Sequence, residues 1–324
     1  TGANVAVTDA GATDLGASTV SGTLGITSAG AVTDSGTLAI TGATTISASG
    51  QDITLDDSAS TFGTLALTGA NVAVTDAGAV DLGASTVSGT LGITSAGAVT
   101  DSGTLAITGV TTISASGQDI TLDESASTFG SLLLTGANVA VTENAATDLG
   151  ASTISGTFGI TSGGAITDSG TQAITGDATF TNTAGSDDAI TLDDASNAFS
   201  GTVTFATDSG SAVTIVDTTA LDLVALTAAS LSATAGGAVT DSGTLAIAGA
   251  TTISASGQDI TLDQAASTFG TLTLTGANVA VTENAATDLG ASTISGTFGI
   301  TSGGAITDSG TQAITGDATF TNTA

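Results

Sequence analysis

A unit of about 67 residues recurs along this chain, and the recurrence constrains the fold more than any other feature. The string TGANVAVT begins at Thr1, Thr68, Thr135 and Thr275. Phenylalanine keeps the same time: Phe62, Phe129, Phe199 and Phe269 are separated by 67, 70 and 70 residues. Residues 275–324 repeat residues 135–184 letter for letter. A repeat of this size is the mark of a solenoid, in which each unit covers its apolar side with its neighbours. The expected organisation is one continuous solenoid over 1–324, with units at 1–67, 68–134, 135–204, 205–274 and a partial one at 275–324. Because the pattern is entered and left mid-unit, a fragment of a longer chain is expected.

Within a unit, short stretches alternate apolar and small polar residues between glycine-containing turns, as in TLALTG, NVAVTDAG, TLGITSAG and QDITLDES. Period-2 alternation is the signature of a strand with one buried face. Leu65, Leu67, Val72, Val74, Leu91, Ile93, Leu105, Ile107, Ile120 and Leu122 are predicted to point inward, with Thr64, Thr75, Thr104 and Thr121 toward water. No stretch carries the spacing of an amphipathic helix. The fold class is therefore all-β, a right-handed parallel β-helix (β-solenoid). Some nine strands per unit predict about three strands and about 22 residues per coil. With coils about 4.8 Å apart, some 14 of them make a rod of roughly 68 Å, and Phe62 recurs every third coil as an interior filler. Glycine at the corners is expected to supply positive φ, and the lack of proline suits central strands. Leu122→Asp is expected to open the stack by placing a charge in its core.

Two stretches depart from the rhythm. Residues 178–192, ATFTNTAGSDDAITL, are longer than the TTISASGQDITL of other units, and TDSGSAVTIVD at 207–217 replaces TGANVAVTD. Both read as loop insertions on one face, and a locally distinct surface is to be sought there.

The composition excludes most chemistry. The chain has no Lys, Arg, His, Pro, Cys, Met, Trp or Tyr, and a formal charge of −30. A surface without cations offers nothing to nucleic acid or anionic lipid, so neither is an expected partner. No apolar run approaches the roughly 18 residues of a membrane span, and direct membrane insertion is not expected. With 40% hydrophobic residues and a mean hydropathy of +0.44, the chain has the apolar content for a core. No base, proton shuttle or thiol nucleophile is present, so the chain reads as a non-enzyme. The acidic pairs Asp56–Asp57, Asp123–Glu124, Asp187–Asp188 and Asp193–Asp194 read as solvated turns; the position of Asp57 becomes Gln264 in a later unit, which a catalytic acid would not tolerate.

Calcium is the one cofactor the sequence raises. Asp81, Asp101 and Asp123 recur about once per coil, with equivalents at Asp14, Asp34, Asp56, Asp148 and Asp168. Stacked in one column, their carboxylates would repel and a hard divalent cation would relieve the repulsion. At separate corners they would be turn residues bonded to their own backbone. The threonine row TFTNT at 179–183 recurs only at 319–323, short of the multi-coil array that ice binding requires.

The phrases SGQDITLDDSASTFGTLALTGANVAVTDAGA and GAVTDSGTLAITGATTISASG resemble the repeats of filamentous haemagglutinin-like giant bacterial adhesins, over the whole chain. The resemblance implies secretion, a right-handed β-helix shaft and a place outside the cell or on its surface. Adhesion to other cells or surface glycans would belong to regions outside this sequence. The leading expectation is a structural shaft. Next comes a building block that associates with itself, side by side or end to end, and last a carbohydrate-active β-helix.

Overall fold

The computed structural model describes residues 1–183, 185 and 187–324. Two compact units, Thr1–Gly156 and Thr157–Ala324, have the same architecture. Each is a stack of short parallel strands with no helix among the described residues. The chain makes about 16 coils of roughly 20 residues, a β-solenoid. Coils are thus shorter and more numerous than the 22-residue estimate.

Alternation decides which side chains enter the core. All ten predicted inward positions, from Leu65 to Leu122, are buried, with exposures of 2% or less. Of the predicted outward threonines, Thr104 is exposed, while Thr64, Thr75 and Thr121 are half-buried between neighbouring coils. Parallel in-register pairing stacks like on like: Leu91, Thr111 and Leu132 form one interior column, and Ile93, Ile113 and Leu134 the next. Each buried Leu or Ile contributes about 1.5–3 kcal/mol relative to exposure, so coil upon coil the stack becomes cooperative.

The repeat does not close on a whole number of coils. In the Thr1–Gly156 unit, Val5 pairs with Leu24, Leu24 with Thr44 and Thr44 with Leu65. The second VAVTD, Val72–Asp76, follows Thr64–Gly69 around the corner and pairs in the other main sheet, with Leu91–Ser95 and Ile53–Leu55. The first sheet continues through Leu82, Asp101 and Leu122 to Val141, where the motif returns to it. Two repeats occupy seven coils, so one repeat takes about three and a half. Successive repeats therefore show the same strands on opposite sheets. Phe62 and Phe129 recur at this half-integral interval, not at every third coil. The reason is geometric: the core cross-section sets coil length, and two apolar inner faces of like kind accept either half of the repeat.

Glycine does less through φ than expected. Among described residues only Gly50, Gly117, Gly185 and Gly257 have positive φ. Most corner glycines are required because coils nearly touch there. A Cβ on Gly109 would lie 2.5 Å from the carbonyl oxygen of Gly89 in the coil beneath. Such a contact is too short to exist, so a side chain would push the corner apart.

Candidate functional site

The outward surface carries hydroxyls and carboxylates arranged by the strand register. Thr75, Thr94, Ser114, Thr135 and Thr153 form one continuous column. In the Thr157–Ala324 unit, Thr234, Ser254, Thr275 and Thr293 form another. Apart from Thr153 and Thr293, each member is the fourth residue of VAVT, LGIT, TTIS or LLLT in the first column and of LSAT, TTIS or LTLT in the second, and none comes from the TFTNT row.

Five of the predicted acidic residues, Asp14, Asp34, Asp81, Asp101 and Asp168, fall into two hydrogen-bonding classes. Asp81 accepts from the hydroxyls of Thr64 and Ser102, each at 2.8 Å, and so ties three coils together. Asp14 accepts from Ser35 at 2.8 Å and Asp288 from Ser309 at 2.8 Å in the same way. Asp101 instead accepts from the backbone N–H groups of Asp123 and Glu124, at 2.8 and 3.4 Å. Asp34 does the same for Asp56 and Asp57, and Asp168 for Asp193 and Asp194. The structure thus brings Asp101 to Asp123 and Asp34 to Asp56, but sets Asp81 opposite Thr100, one position out of step with Asp101. Asp81, Asp101 and Asp123 do not form one column. Asp148 lies in the strand Thr147–Leu149, equivalent to that of Asp81. Among the described residues, no group of three or more acidic side chains is arranged to hold a metal ion.

Sequence reasoning missed a set of buried acids. Asp76, Glu143, Asp217 and Glu283 end the strands that follow each repeat boundary, and they are only 2%, 3%, 1% and 3% exposed. Each accepts a hydrogen bond from the backbone N–H of the repeat's phenylalanine: Phe62 at 3.0 Å, Phe129 at 3.1 Å, Phe199 at 3.2 Å and Phe269 at 3.1 Å. Asp76 also accepts from the N–H of Gly78, and Glu283 from the hydroxyl of Thr287. The rung that bears the phenylalanine is stitched downward as well: Ser60, Ser127 and Ser267 accept the N–H groups of Leu38, Leu105 and Leu245. Loss of hydration drives the carboxyl pKa of all four acids upward, against the pull of their hydrogen bonds. For Glu143 burial raises it from 4.5 to about 7. Burial also raises Asp101, and lifts Asp241 to about 6. A signal was present in the sequence: an acid stands 14 residues after Phe62, Phe129 and Phe269.

Both insertions fall between strands, after Ala178–Asn182 and after Thr202–Ala206. Ala184 and Ser186 of the first lie outside the described residues. The loops adjoin, since a Cβ on Gly210 would collide with the Asp187 carboxylate. An open hollow of about 290 Å³ is lined by Leu289, Ile306, Gln312, Ile314 and Phe320. In the identical earlier sequence the equivalent residues Leu149, Ile166, Gln172, Ile174 and Phe180 are all buried.

No curated protein matches the chain, and no solved structure matches it. A family of repeats of unknown function (DUF5649) does, over residues 2–68, 69–135, 136–206, 210–275 and 276–324. Its boundaries fall between each phenylalanine and its buried acid. With nearly every residue inside one of these five repeats, the chain belongs to the DUF5649 repeats.

Proposed function

We propose that this chain is a stretch of extracellular structural shaft, without catalysis, in a large secreted or surface protein. The observation that carries the reading is uniformity. The same strands, the same alternation of apolar inner and small polar outer positions, and the same outward Thr, Ser and Asp recur from repeat to repeat, and both insertions fall between strands. A scaffold gains from such repetition, because each coil stabilises the next and length grows by adding repeats. The resemblance of the SGQDITLDDSASTFGTLALTGANVAVTDAGA phrases to filamentous haemagglutinin-like repeats supports the finer reading of a bacterial adhesin shaft. Electron microscopy of the purified chain, with immunogold labelling of intact cells, tests both parts. Thin rods and label on the cell surface are expected. Globular particles would end the shaft reading, and label confined to the cell interior would end the extracellular one.

A second reading, lateral bundling of many such shafts, is favoured by the outward hydroxyl columns, which present small, evenly spaced groups with no bulky side chain between them. With 30 acidic residues and no Lys or Arg, side-by-side contact would depend on cations to screen the repulsion. Divalent ions such as calcium enter this reading as counterions between shafts. Bundles that form in calcium and disperse on chelation would support it, and rods that remain single in calcium would remove it.

A further inference from the structure

We propose that every junction between successive repeats is closed by a proton-operated fastener, the buried carboxylate that accepts the phenylalanine N–H of the repeat before it. Four observations on the geometry carry this. Each pair crosses a boundary: Phe62 to Asp76, Phe129 to Glu143, Phe199 to Asp217 and Phe269 to Glu283. Each carboxylate is almost wholly removed from water. The chain has no Lys, Arg or His, so none of the four can find a cationic side chain. At Asp217, one carboxylate oxygen is buried with no hydrogen-bond partner at all.

The titratable groups on the surrounding elements are all acids. Beneath Asp76 lies the strand Ile53–Leu55, flanked by Asp52, Asp56 and Asp57, and the next strand of its own coil carries Asp81. Glu143 has Asp119, Asp123, Glu124 and Asp148 in the same places; Asp217 has Asp187, Asp188, Asp193, Asp194 and Asp222; Glu283 has Asp259, Asp263 and Asp288. The strands above that lie in the same compact unit, Leu91–Ser95, Ser230–Ala235 and Phe298–Ser302, contribute no charge. Ionising the buried acid therefore places an anion in a dry site among anions. The protonated acid keeps its carbonyl oxygen for the phenylalanine N–H and gains a hydroxyl to donate. Acid closes the joint and base loosens it, and burial raising all four pKa values agrees with that direction.

Amide hydrogen exchange on the whole chain at constant ionic strength tests the fastener. Protection is expressed relative to an unstructured chain at the same pH, so that base catalysis of exchange cancels. Protection of the Phe129 amide is expected to fall at least tenfold from pH 5 to pH 8, because opening releases a carboxyl of ordinary acidity. The reference is the Leu24 amide, bound to Ala43 O in the first repeat, where the equivalent Asp9 is exposed; it is expected to change less than threefold. Glu143→Gln keeps an acceptor oxygen without charge and is expected to hold Phe129 at its pH 5 protection throughout. An equal fall at Leu24 would make the effect a global charge repulsion and overturn the proposal. So would an unchanged pH dependence in Glu143→Gln. If that variant does not fold, Glu283→Gln read at the Phe269 amide carries the same expectations, and the wild-type comparison of Phe129 with Leu24 decides by itself.

Discussion

Leu91–Ser95, Val110–Ser114 and Ser131–Gly136 fill the interior of the Thr1–Gly156 unit with the column Leu91, Thr111, Leu132 beside the column Ile93, Ile113, Leu134. At the equivalent places in the other unit, Phe158–Ser162, Ala178–Asn182 and Thr202–Ala206 supply Phe158, Ala178, Val203 beside Ile160, Phe180, Phe205. Volume is conserved by exchange: where Ile113 becomes Phe180, Thr111 becomes Ala178. The aromatic rings use the space well, with Phe180 edge-on to Phe158 at 5.8 Å and to Phe199 at 6.0 Å, and stacked with Phe205 at 5.7 Å. The exchange also removes a defect, since the Thr111 hydroxyl is buried between two leucines with no hydrogen-bond partner. Thr44 and Thr251 share that defect. The solenoid thus fixes the outline of each rung and leaves its filling open, as close packing allows when total volume is kept.

Removing Phe180 tests the comparison most severely. Phe180→Ala is expected to cost about 3–5 kcal/mol in denaturant unfolding, and a loss no greater than that of Ile113→Val would mean the ring cluster adds nothing to an aliphatic rung. The second test is acidity. Glu143 and Asp241 have folded pKa values of about 7 and about 6, above the ordinary 4.5 and 3.8. Their contribution is full below the ordinary values and is lost as pH rises through the folded ones, so stability should increase on going from pH 8 to pH 5. The increase expected from Glu143 is about 3 kcal/mol, read as a higher Tm at pH 5; a lower Tm there would reverse the sign argument. Ser127→Ala is expected to cost about 1–3 kcal/mol by leaving the Leu105 N–H without an acceptor. In the aromatic rung Asn197 serves Gln172 in the same way at 2.7 Å, so Asn197→Ala should cost a similar amount. The smallest effect is a gain: Thr111→Val should stabilise by about 1 kcal/mol by removing the stranded hydroxyl, whereas Ala178→Thr should lose stability.

Much of this was legible from spacing. Alternation placed Leu65 to Leu122 inward because a strand offers only two sides, and the repeat named a solenoid because one unit cannot cover its own apolar face. The buried acids were harder to see. Alternation puts Asp76 on the same side as Val72 and Val74, but a carboxylate at a strand end gives no sign of how deeply it is buried, and that depends on the phenylalanine rung stacked beside it. The same holds for Asp81 and Asp101. Both read as one acid per coil, yet the register sets one against Thr100 and the other beneath the N–H groups of Asp123 and Glu124.

Residues 157–184 and 297–324 draw the line between sequence and tertiary structure, because they are identical in every letter. Both form the same strands, Phe158–Ser162 and Phe298–Ser302, then Ala178–Asn182 and Ala318–Asn322, since alternation and turns are local properties. Yet Phe180 is 0% exposed and Phe320 is 47% exposed. Phe180 packs on the rings of Phe158, Phe199 and Phe205, whereas among the described residues the ring paired with Phe320 is that of Phe298. Sequence by itself determined the strands and which side of each is apolar. Burial, the half-coil offset of successive repeats and the fate of each carboxylate were decided by the coil stacked next to it, because desolvation is a property of neighbours and not of the residue.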